Sequence, residues 1–207
     1  MSPVKIGVLI SGGGTNLQAV IDNTKNGNIN GEIKLIISNK KEAYGLKRGE
    51  IAGIETLYID SKSFDSDRDY NLKIIKEFKD RDVELIILAG YLKVLSPEFI
   101  KEFKDKIINI HPSLIPQFSG KGYYGDRVHT EVLKSGVKTT GATVHFVDEG
   151  TDTGPIILQE KVDVNCKDDL DSLKKKVLSL EHKLLVQAVK LYCEDRIKIE
   201  GRLVITN

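Results

Sequence analysis

Short runs of apolar and β-branched residues recur along the first half of the chain, and they are the strongest constraint on its fold. The runs cover residues 4–10, 33–37, 55–59, 83–88 and 107–110. Continuous apolar runs of this length are typical of parallel strands that are buried on both faces. Patterns at helical spacing lie between them, at residues 16–26, 70–81 and 97–103. We therefore expect an α/β fold, with an open, mostly parallel, twisted sheet and helices on both faces.

The second half of the chain changes character. Residues 112–125 are rich in Gly, Ser, Pro and Tyr and indicate a long loop, which a helix follows at 126–135. Two strands are expected at 142–147 and 156–164, then a long amphipathic helix at 170–195 and a short strand at 202–205. No repeat or linker interrupts the 207 residues, a length that suits one domain. We expect a single domain, 1–207, with a nucleotide-binding-like half (1–110) and a second half (111–207) that carries the active-site loop.

Composition excludes several classes of function. Lys and Arg number 31 and Asp and Glu number 30, so no strong field favours nucleic acid or an anionic membrane surface. The apolar runs are too short to span a membrane, and the N-terminus lacks the apolar segment of a signal peptide. Cys166 and Cys193 have no metal-ligand spacing, so we expect two reduced thiols and no metal site. A cytoplasmic protein is expected.

A glycine-rich segment, Ser11-Gly-Gly-Gly-Thr-Asn16, separates the first strand from the first helix. Glycines let a ligand approach the backbone closely, and the following helix start offers free N–H groups and a positive dipole end. A dinucleotide fingerprint would need a third glycine where Leu17 stands, and the Gly-Lys-Ser/Thr of a triphosphate loop is missing. A smaller anion such as a sugar monophosphate remains, as does the alternative that the glycines only form a tight turn.

Asn109 and His111 lie at the end of the fifth predicted strand, where alternation places both side chains on one face. Ligands of open parallel sheets bind outside the C-terminal strand ends, where an imidazole can move a proton and an amide can stabilise an oxyanion. The segment 141–155 brings Asp152 into a turn, and a carboxylate beside His111 would favour imidazolium. The alternatives are a histidine bonded to a loop carbonyl and a solvated turn carboxylate.

The remaining histidines carry weaker signals. His129 lies on a predicted helix beside charged residues and is interpreted as a surface residue. His145 alternates within a predicted strand and is interpreted as structural. His182 and Glu181, on the long helix, could face solvent or line a pocket.

Four segments together resemble a known family: Ser11–Asn16, residues 88–97 (Leu-Ala-Gly-Tyr-Leu-Lys-Val-Leu-Ser-Pro), residues 109–116 (Asn-Ile-His-Pro-Ser-Leu-Ile-Pro) and residues 141–155. They occur in the order and at the separations seen in the phosphoribosylglycinamide formyltransferase family, the folate-dependent enzymes of purine synthesis. The resemblance covers essentially the whole chain. It implies a Rossmann-like formyltransferase fold, 10-formyltetrahydrofolate as co-substrate without a metal, and glycinamide ribonucleotide as acceptor.

The resemblance also implies roles for individual residues. Gly14, Thr15 and Asn16 match the loop that holds the substrate phosphate, and Glu181 matches a carboxylate that binds the ribonucleotide. Asn109, His111 and Asp152 match the catalytic trio, and residues 120–125 match a mobile segment. The residues matching the folate site are Arg68, Leu92, Lys93, Val94, Leu95 and Asn109. The sequence departs from the family at Asp67, where straight counting expects the folate-contacting arginine one place before Arg68, and at Thr151, where an aliphatic residue is usual.

The implied reaction is direct attack of the amine on the formyl carbon, through an oxyanion that Asn109 and protonated His111 stabilise while Asp152 orients His111. Three alternatives stand beside it. One is formyltetrahydrofolate deformylase, which uses water and carries an additional N-terminal module. Another is methionyl-tRNA formyltransferase, which carries an RNA-binding domain. The third is a non-catalytic nucleotide-binding module. We expect small-molecule substrates only, and a monomer or homodimer.

Overall fold

The computed structural model describes residues 2–206. Six α-helices and nine β-strands lie in this part of the chain, together with a 3₁₀ turn at Ser61–Ser63. The strands are β1 Val4–Ile10, β2 Gly31–Ser38, β3 Thr56–Tyr58, β4 Leu85–Leu88, β5 Ile107–His111, β6 Thr139–Phe146, β7 Ile156–Asp163, β8 Ile197–Glu200 and β9 Leu203–Thr206. The helices are α1 Thr15–Lys25, α2 Tyr44–Ala52, α3 Asp67–Lys79, α4 Pro97–Glu102, α5 Asp126–Ser135 and α6 Leu170–Cys193.

The chain forms two compact units, of which the first ends at Ile108. In this unit β1 pairs in parallel with β2 and with β4, and β2 pairs in parallel with β3. All four residues of β4 and the last five of β1 are buried, which explains why these strands read as continuous apolar runs. Helix α3 packs on α4, and Phe78, Phe99 and Phe103 meet at ring-centroid distances of 5.2–6.5 Å.

The second unit begins at Asn109. Strands β6 and β7 form an antiparallel hairpin, and the long helix α6 packs against both. Helix α6 begins with a capping box, in which the Asp169 side chain accepts a hydrogen bond from Ser172 N and the Ser172 side chain accepts one from Asp169 N. A second antiparallel hairpin, β8–β9, follows α6. The predicted division of the chain into halves at residue 110 stays a prediction.

Seven strands form one sheet in the order β3-β2-β1-β4-β5-β6-β7. The sheet is mostly parallel and the hairpin strand β7 is antiparallel to its neighbour β6, so the predicted fold class is confirmed. No helix within residues 2–206 has both the length and the apolarity needed to cross a membrane.

Two elements escaped the sequence analysis: helix α2 and strand β8. Helix α2 has only nine residues, and two of them, Gly45 and Gly49, are poor helix formers. Both glycines are buried at close approaches, since a Cβ on Gly45 would lie 2.3 Å from Ile10 Cδ1 and one on Gly49 would lie 2.6 Å from Ile36 Cδ1. Close packing against β1 and β2 therefore requires glycine at these two positions, although glycine has a low helix propensity.

Candidate active site

The turn between β6 and β7 fixes the position of Asp152. The residue has a left-handed backbone with φ +57°, a conformation that aspartate tolerates better than most side chains. Gly154 stands two residues later, where a Cβ would lie 1.8 Å from the carbonyl oxygen of Phe146. The side chain of Asp148 closes the turn by accepting hydrogen bonds from Gly150 N at 3.1 Å and from Thr153 Oγ1 at 2.5 Å. These contacts fix the conformation of the turn and therefore the direction of the Asp152 side chain.

The structure brings the three predicted catalytic residues together in the second unit. Asp152 Oδ2 lies 3.5 Å from His111 Nδ1, and Asp152 Oδ1 lies 3.5 Å from Asn109 Nδ2. The N–H of Gly120 donates to Asp152 Oδ2 at 2.9 Å. The side chains of His111 and Asp152 are only 5% and 10% exposed. The Asp152 carboxylate therefore contacts both the end of β5 and the loop that follows it.

A fourth polar side chain, His145 on β6, belongs to the same cluster. Its Nδ1 lies 2.8 Å from the carbonyl oxygen of Phe146, which can only accept a hydrogen bond. The other ring nitrogen, Nε2, lies 3.1 Å from Asn109 Nδ2, an amide nitrogen that can only donate a hydrogen bond. His145 Nε2 also lies 3.6 Å from Asp152 Oδ1. The sequence analysis interpreted His145 as structural, although its inward place in a strand that leads to the Asp152 turn was a usable signal.

Both ring nitrogens of His111 face oxygen atoms. Nε2 lies 2.9 Å from the carbonyl oxygen of Phe118, and Nδ1 faces the Asp152 carboxylate. Only imidazolium can donate to both oxygens at once. Burial nevertheless lowers the pKa of His111 below its ordinary value, against the opposing effects of Asp152 and the Phe118 carbonyl. The expected contact of His111 with a loop carbonyl is therefore present together with its contact to the Asp152 carboxylate.

Asp152 keeps its negative charge in this surrounding. Burial raises the pKa of its carboxyl, but the neighbouring side chains of His145 and His111 and the Gly120 N–H together bring it below the ordinary value. The expected alternative of a solvated turn carboxylate is wrong, because the side chain is buried and bonded.

The loop that follows β5 is held in place by polar contacts to β6. Thr143 Oγ1 donates to the Ser113 carbonyl at 2.6 Å and accepts from Ile115 N at 3.2 Å. Ser113 Oγ donates to the Gln117 carbonyl at 2.6 Å. Phe118 then adopts a left-handed backbone with φ +51° as its carbonyl meets His111. The loop, which has neither helix nor strand as expected, therefore presents one carbonyl to the site.

The glycine-rich loop in the first unit has the form of an anion cradle. Gly14 caps α1 with a left-handed backbone, φ +70° and ψ +33°. The N–H groups of Gly13, Gly14 and Thr15 have no hydrogen-bond partner among the described residues. Asn16 is buried, while Gly12, Gly13 and Thr15 are exposed. Exposed, unpaired N–H groups at a helix start are what an anionic group binds.

The residues predicted to bind folate, apart from Asn109, also lie in the first unit. Leu92 and Val94 are 48% and 75% exposed, although both are apolar, while Leu95 is buried. Lys93 forms an ion pair with Asp67 at 2.7 Å, and its ammonium lies 5.2 Å from the centre of the Tyr70 ring. Two exposed apolar side chains on one segment are available to an apolar ligand.

The two candidate positions for the folate-contacting arginine, Asp67 and Arg68, lie at the start of α3. Arg68 is exposed and donates to Glu98 Oε1 at 2.8 Å, while Asp67 is paired with Lys93. Asp67 therefore contacts the segment 92–95 through Lys93, whereas Arg68 is paired with Glu98 of α4.

The other predicted positions have mixed outcomes. Glu181 on α6 is buried, with 8% of its surface exposed, and His182 is half-buried. His129 is 4% exposed, so its interpretation as a surface residue is wrong. It lies on the face of α5 that is buried with Val128 and Val132, and α5 packs on α6. Within residues 2–206, no group of three or more His, Cys, Asp or Glu side chains is arranged to hold a metal ion.

Comparison with known proteins places this architecture in a family. The family described as Formyl transferase matches residues 4–189. A chloroplastic phosphoribosylglycinamide formyltransferase from Arabidopsis thaliana is 40% identical over 195 residues, which are 94% of this chain and 67% of the relative. A phosphoribosylglycinamide formyltransferase from Escherichia coli K12 is 37% identical over 196 residues, 95% of this chain and 90% of the relative. Some relatives are longer, since the chain spans 19% of a trifunctional purine biosynthetic protein from Gallus gallus.

Solved structures agree with these matches. The crystal structure of glycinamide ribonucleotide transformylase 1 from Symbiobacterium toebii superposes with a TM-score of 0.94 at 39% identity, covering 99% of this chain and 94% of the other. The chain belongs to the formyl transferase family. Within that family, relatives whose own length the chain covers to 90% or more include a phosphoribosylglycinamide formyltransferase and a glycinamide ribonucleotide transformylase, as the resemblance implied.

Proposed function

We propose that the protein transfers the formyl group of 10-formyltetrahydrofolate to the amine of glycinamide ribonucleotide. The observation that carries this proposal is the polar cluster of the buried His111 with the half-buried Asn109 and Asp152, within a chain of the formyl transferase family. An amide, an imidazole and a carboxylate at these distances supply oxyanion donors and a proton acceptor, which formyl transfer requires.

The reaction begins when the amine nitrogen attacks the formyl carbon. A tetrahedral intermediate forms, and its negative oxygen accepts hydrogen bonds from Asn109 and His111. The amide hydrogen of Asn109 that points to Asp152 is the available one, since that contact, at 3.5 Å, is longer than the 3.1 Å contact to His145. The attacking nitrogen loses a proton through water to Asp152, and Asp152 returns a proton through water to the folate nitrogen as the bond between that nitrogen and the formyl carbon breaks.

The proton on His111 depends on the charge beside it. Burial disfavours imidazolium in the arrangement seen, in which Nε2 donates to the Phe118 carbonyl. A formyl oxygen that replaces this carbonyl gains negative charge during the reaction and so favours imidazolium. His111 therefore stabilises the intermediate more than the substrate, which is the condition for lowering the barrier.

The substrates are held by the two remaining groups of residues. The N–H groups of Gly14, Thr15 and Asn16 bind the phosphate of the ribonucleotide, and Glu181 binds its ribose hydroxyls. Residues 92–95 line the folate site, where the exposed Leu92 and Val94 contact the ring system and Arg68 contacts the anionic tail. Holding two substrates in register can contribute about 7–11 kcal/mol to the acceleration.

Replacement of His111 tests this proposal. The purified protein and the variant His111→Ala are assayed with 10-formyltetrahydrofolate, with and without glycinamide ribonucleotide. We expect amine-dependent formation of tetrahydrofolate by the wild type, and a rate about 10²–10³ lower in the variant. Turnover of the variant near the wild-type rate would eliminate the role of His111. Turnover that does not need the amine would instead support the deformylase reaction.

A further inference from the structure

The anion cradle rests on helix α2, which the sequence analysis did not predict. Gly45 of α2 and Gly14 of the loop meet so closely that a Cβ on Gly14 would lie 2.7 Å from Gly45 Cα. The same imaginary Cβ would lie 3.5 Å from Arg48 Cδ, so the arginine side chain runs alongside the loop. Gly45, Arg48 and the loop that contains Gly14 all belong to the first unit.

Two consecutive carbonyl groups of the loop accept hydrogen bonds from α2. The N–H of Gly45 donates to the Gly12 carbonyl at 3.0 Å, and Arg48 Nε donates to the Gly13 carbonyl at 2.7 Å. In a trans peptide the C=O and the following N–H point in opposite directions. Holding these two carbonyls toward α2 therefore turns the N–H groups of Gly13 and Gly14 away from α2, toward open space.

Arg48 is itself held in this pose. Its Nη1 donates to Gln18 Oε1 at 3.0 Å, and Gln18 Nε2 donates to Asp22 Oδ1 at 2.8 Å, which fixes the amide orientation. The guanidinium also lies 5.0 Å from the centre of the Tyr44 ring, within the range of a cation–π contact. The hydrogen bond to Gly13 is therefore part of a connected arrangement.

We propose that Arg48 is a positioning residue for the phosphate of the acceptor substrate. It acts through the peptide between Gly13 and Gly14, whose carbonyl it holds so that the Gly14 N–H faces the anion, and its positive charge favours an anion at the loop. The proposal rests on the function proposed above, in which this loop binds the ribonucleotide phosphate. It assigns to α2 the task of keeping the loop in its binding conformation.

Three variants test this proposal. Arg48→Met removes the charge and the hydrogen bonds but keeps an unbranched side chain, and Arg48→Lys keeps the charge and one hydrogen bond. Lys47→Met is the matched control, since Lys47 is the adjacent basic residue and is exposed, with its ammonium paired to Glu50 at 3.2 Å. KM for each substrate and kcat are measured for all three, together with the midpoint of thermal unfolding.

A positioning role predicts a specific pattern. Arg48→Met should raise KM for glycinamide ribonucleotide about 10- to 100-fold, while kcat and KM for 10-formyltetrahydrofolate change less than about threefold. Arg48→Lys should recover most of the affinity, and Lys47→Met should behave like the wild type. Isothermal titration with ribose 5-phosphate should show the same weakening without any chemistry.

Other outcomes overturn the inference. An unchanged KM for the ribonucleotide in Arg48→Met would show that Arg48 does not support the loop. A parallel loss of kcat and of both affinities, with a lower unfolding midpoint and no recovery in Arg48→Lys, would show a merely structural role. A wild type that neither transfers formyl nor binds ribose 5-phosphate would overturn the proposed function itself. If the wild type does both and Arg48→Met matches it, only the inference about Arg48 fails.

Discussion

The anion cradle of the first unit and the polar cluster of the second are built in opposite ways. The cradle consists of consecutive residues, Gly12 to Asn16, and offers mainly backbone N–H groups that are exposed. The cluster consists of buried and half-buried side chains that are distant in sequence, and Asn109 and Asp152 are separated by 43 positions. A backbone site depends on the conformation of one short segment, whereas a side-chain site depends on the whole hairpin and loop that surround it.

This contrast predicts where substitutions act. Substitutions in the cluster should lower the rate of the chemical step. Substitutions in the cradle should lower the affinity for the phosphorylated substrate or the stability of the loop.

Loss of the Asp152 charge should have the largest effect. Asp152→Asn removes the proton acceptor and the partner that favours imidazolium at His111, so kcat should fall about 10²–10⁴-fold. The matched control is Glu149→Gln, an exposed carboxylate of the same turn, which should keep kcat. Steady-state assays with saturating substrates measure both. Equal losses in the two variants would show that the turn, and not the Asp152 carboxylate, is what matters.

A side chain on Gly14 should damage the cradle. Gly14→Ala combines a left-handed backbone with a Cβ only 2.7 Å from Gly45 Cα, so the free energy of unfolding should fall by about 1–3 kcal/mol. KM for glycinamide ribonucleotide should rise with it. Gly12→Ala is the control, because its Cβ would meet nothing within 4 Å, and urea unfolding should place it within about 0.5 kcal/mol of the wild type. A Gly14→Ala protein as stable as Gly12→Ala would contradict the conformation described.

His145 should matter less than the predicted trio. His145→Phe removes the acceptor for Asn109 Nδ2, and the loss of one hydrogen bond should lower kcat about 3- to 10-fold. His145→Gln retains an acceptor oxygen and should recover part of the rate. The measurement is kcat at saturation for both variants. If the glutamine variant is no better than phenylalanine, the contact between His145 and Asn109 does not support catalysis.

The second unit should also be the more sensitive to mild acid. All four histidines of the chain lie there, and burial lowers the pKa of both His111 and His129. The folded state therefore binds fewer protons than the unfolded state, so the stability is present above the unfolded pKa near 6.5 and is lost as pH falls below it. The loss should be about 1.4 kcal/mol for each unit of pKa lowering.

Urea unfolding at pH 7.5 and 5.5 measures this loss, in a range where most carboxyls stay ionised. Amide hydrogen exchange at the two pH values, corrected for the intrinsic exchange rate, should show the weakening in α5 and β5 before α1 and α2. Equal stability at both pH values would contradict the lowered pKa values.

The contrast between the two sites also explains what the sequence could predict. The cradle was predicted from six consecutive residues, Ser11 to Asn16, because the backbone conformation of a short loop depends mainly on its own sequence. The family and the mostly parallel sheet are confirmed, since continuous apolar runs and whole motifs survive in the linear sequence. The assignment of Asn109, His111 and Asp152 came from the resemblance, and nothing in their spacing alone could show that they meet.

Three features were not predicted, and each depends on tertiary contacts. Helix α2 was missed because Gly45 and Gly49 are chosen by packing against β1 and β2 rather than by helix propensity. His129 was expected at the surface because it lies beside the charged residues Arg127 and Glu131, yet it lies on the buried face of α5. His145 lies beside Asp152 because the turn between β6 and β7 returns the chain to this point.

The central claim is that the cluster around Asp152 moves a formyl group to an amine. The most direct measurement follows the formyl carbon of 10-formyltetrahydrofolate, labelled with ¹³C, by NMR during turnover with glycinamide ribonucleotide. The account predicts that the label appears as an amide formyl on the ribonucleotide, in step with tetrahydrofolate, and that the signal is lost in Asp152→Asn. Release of the label as formate at a rate independent of the amine would contradict it.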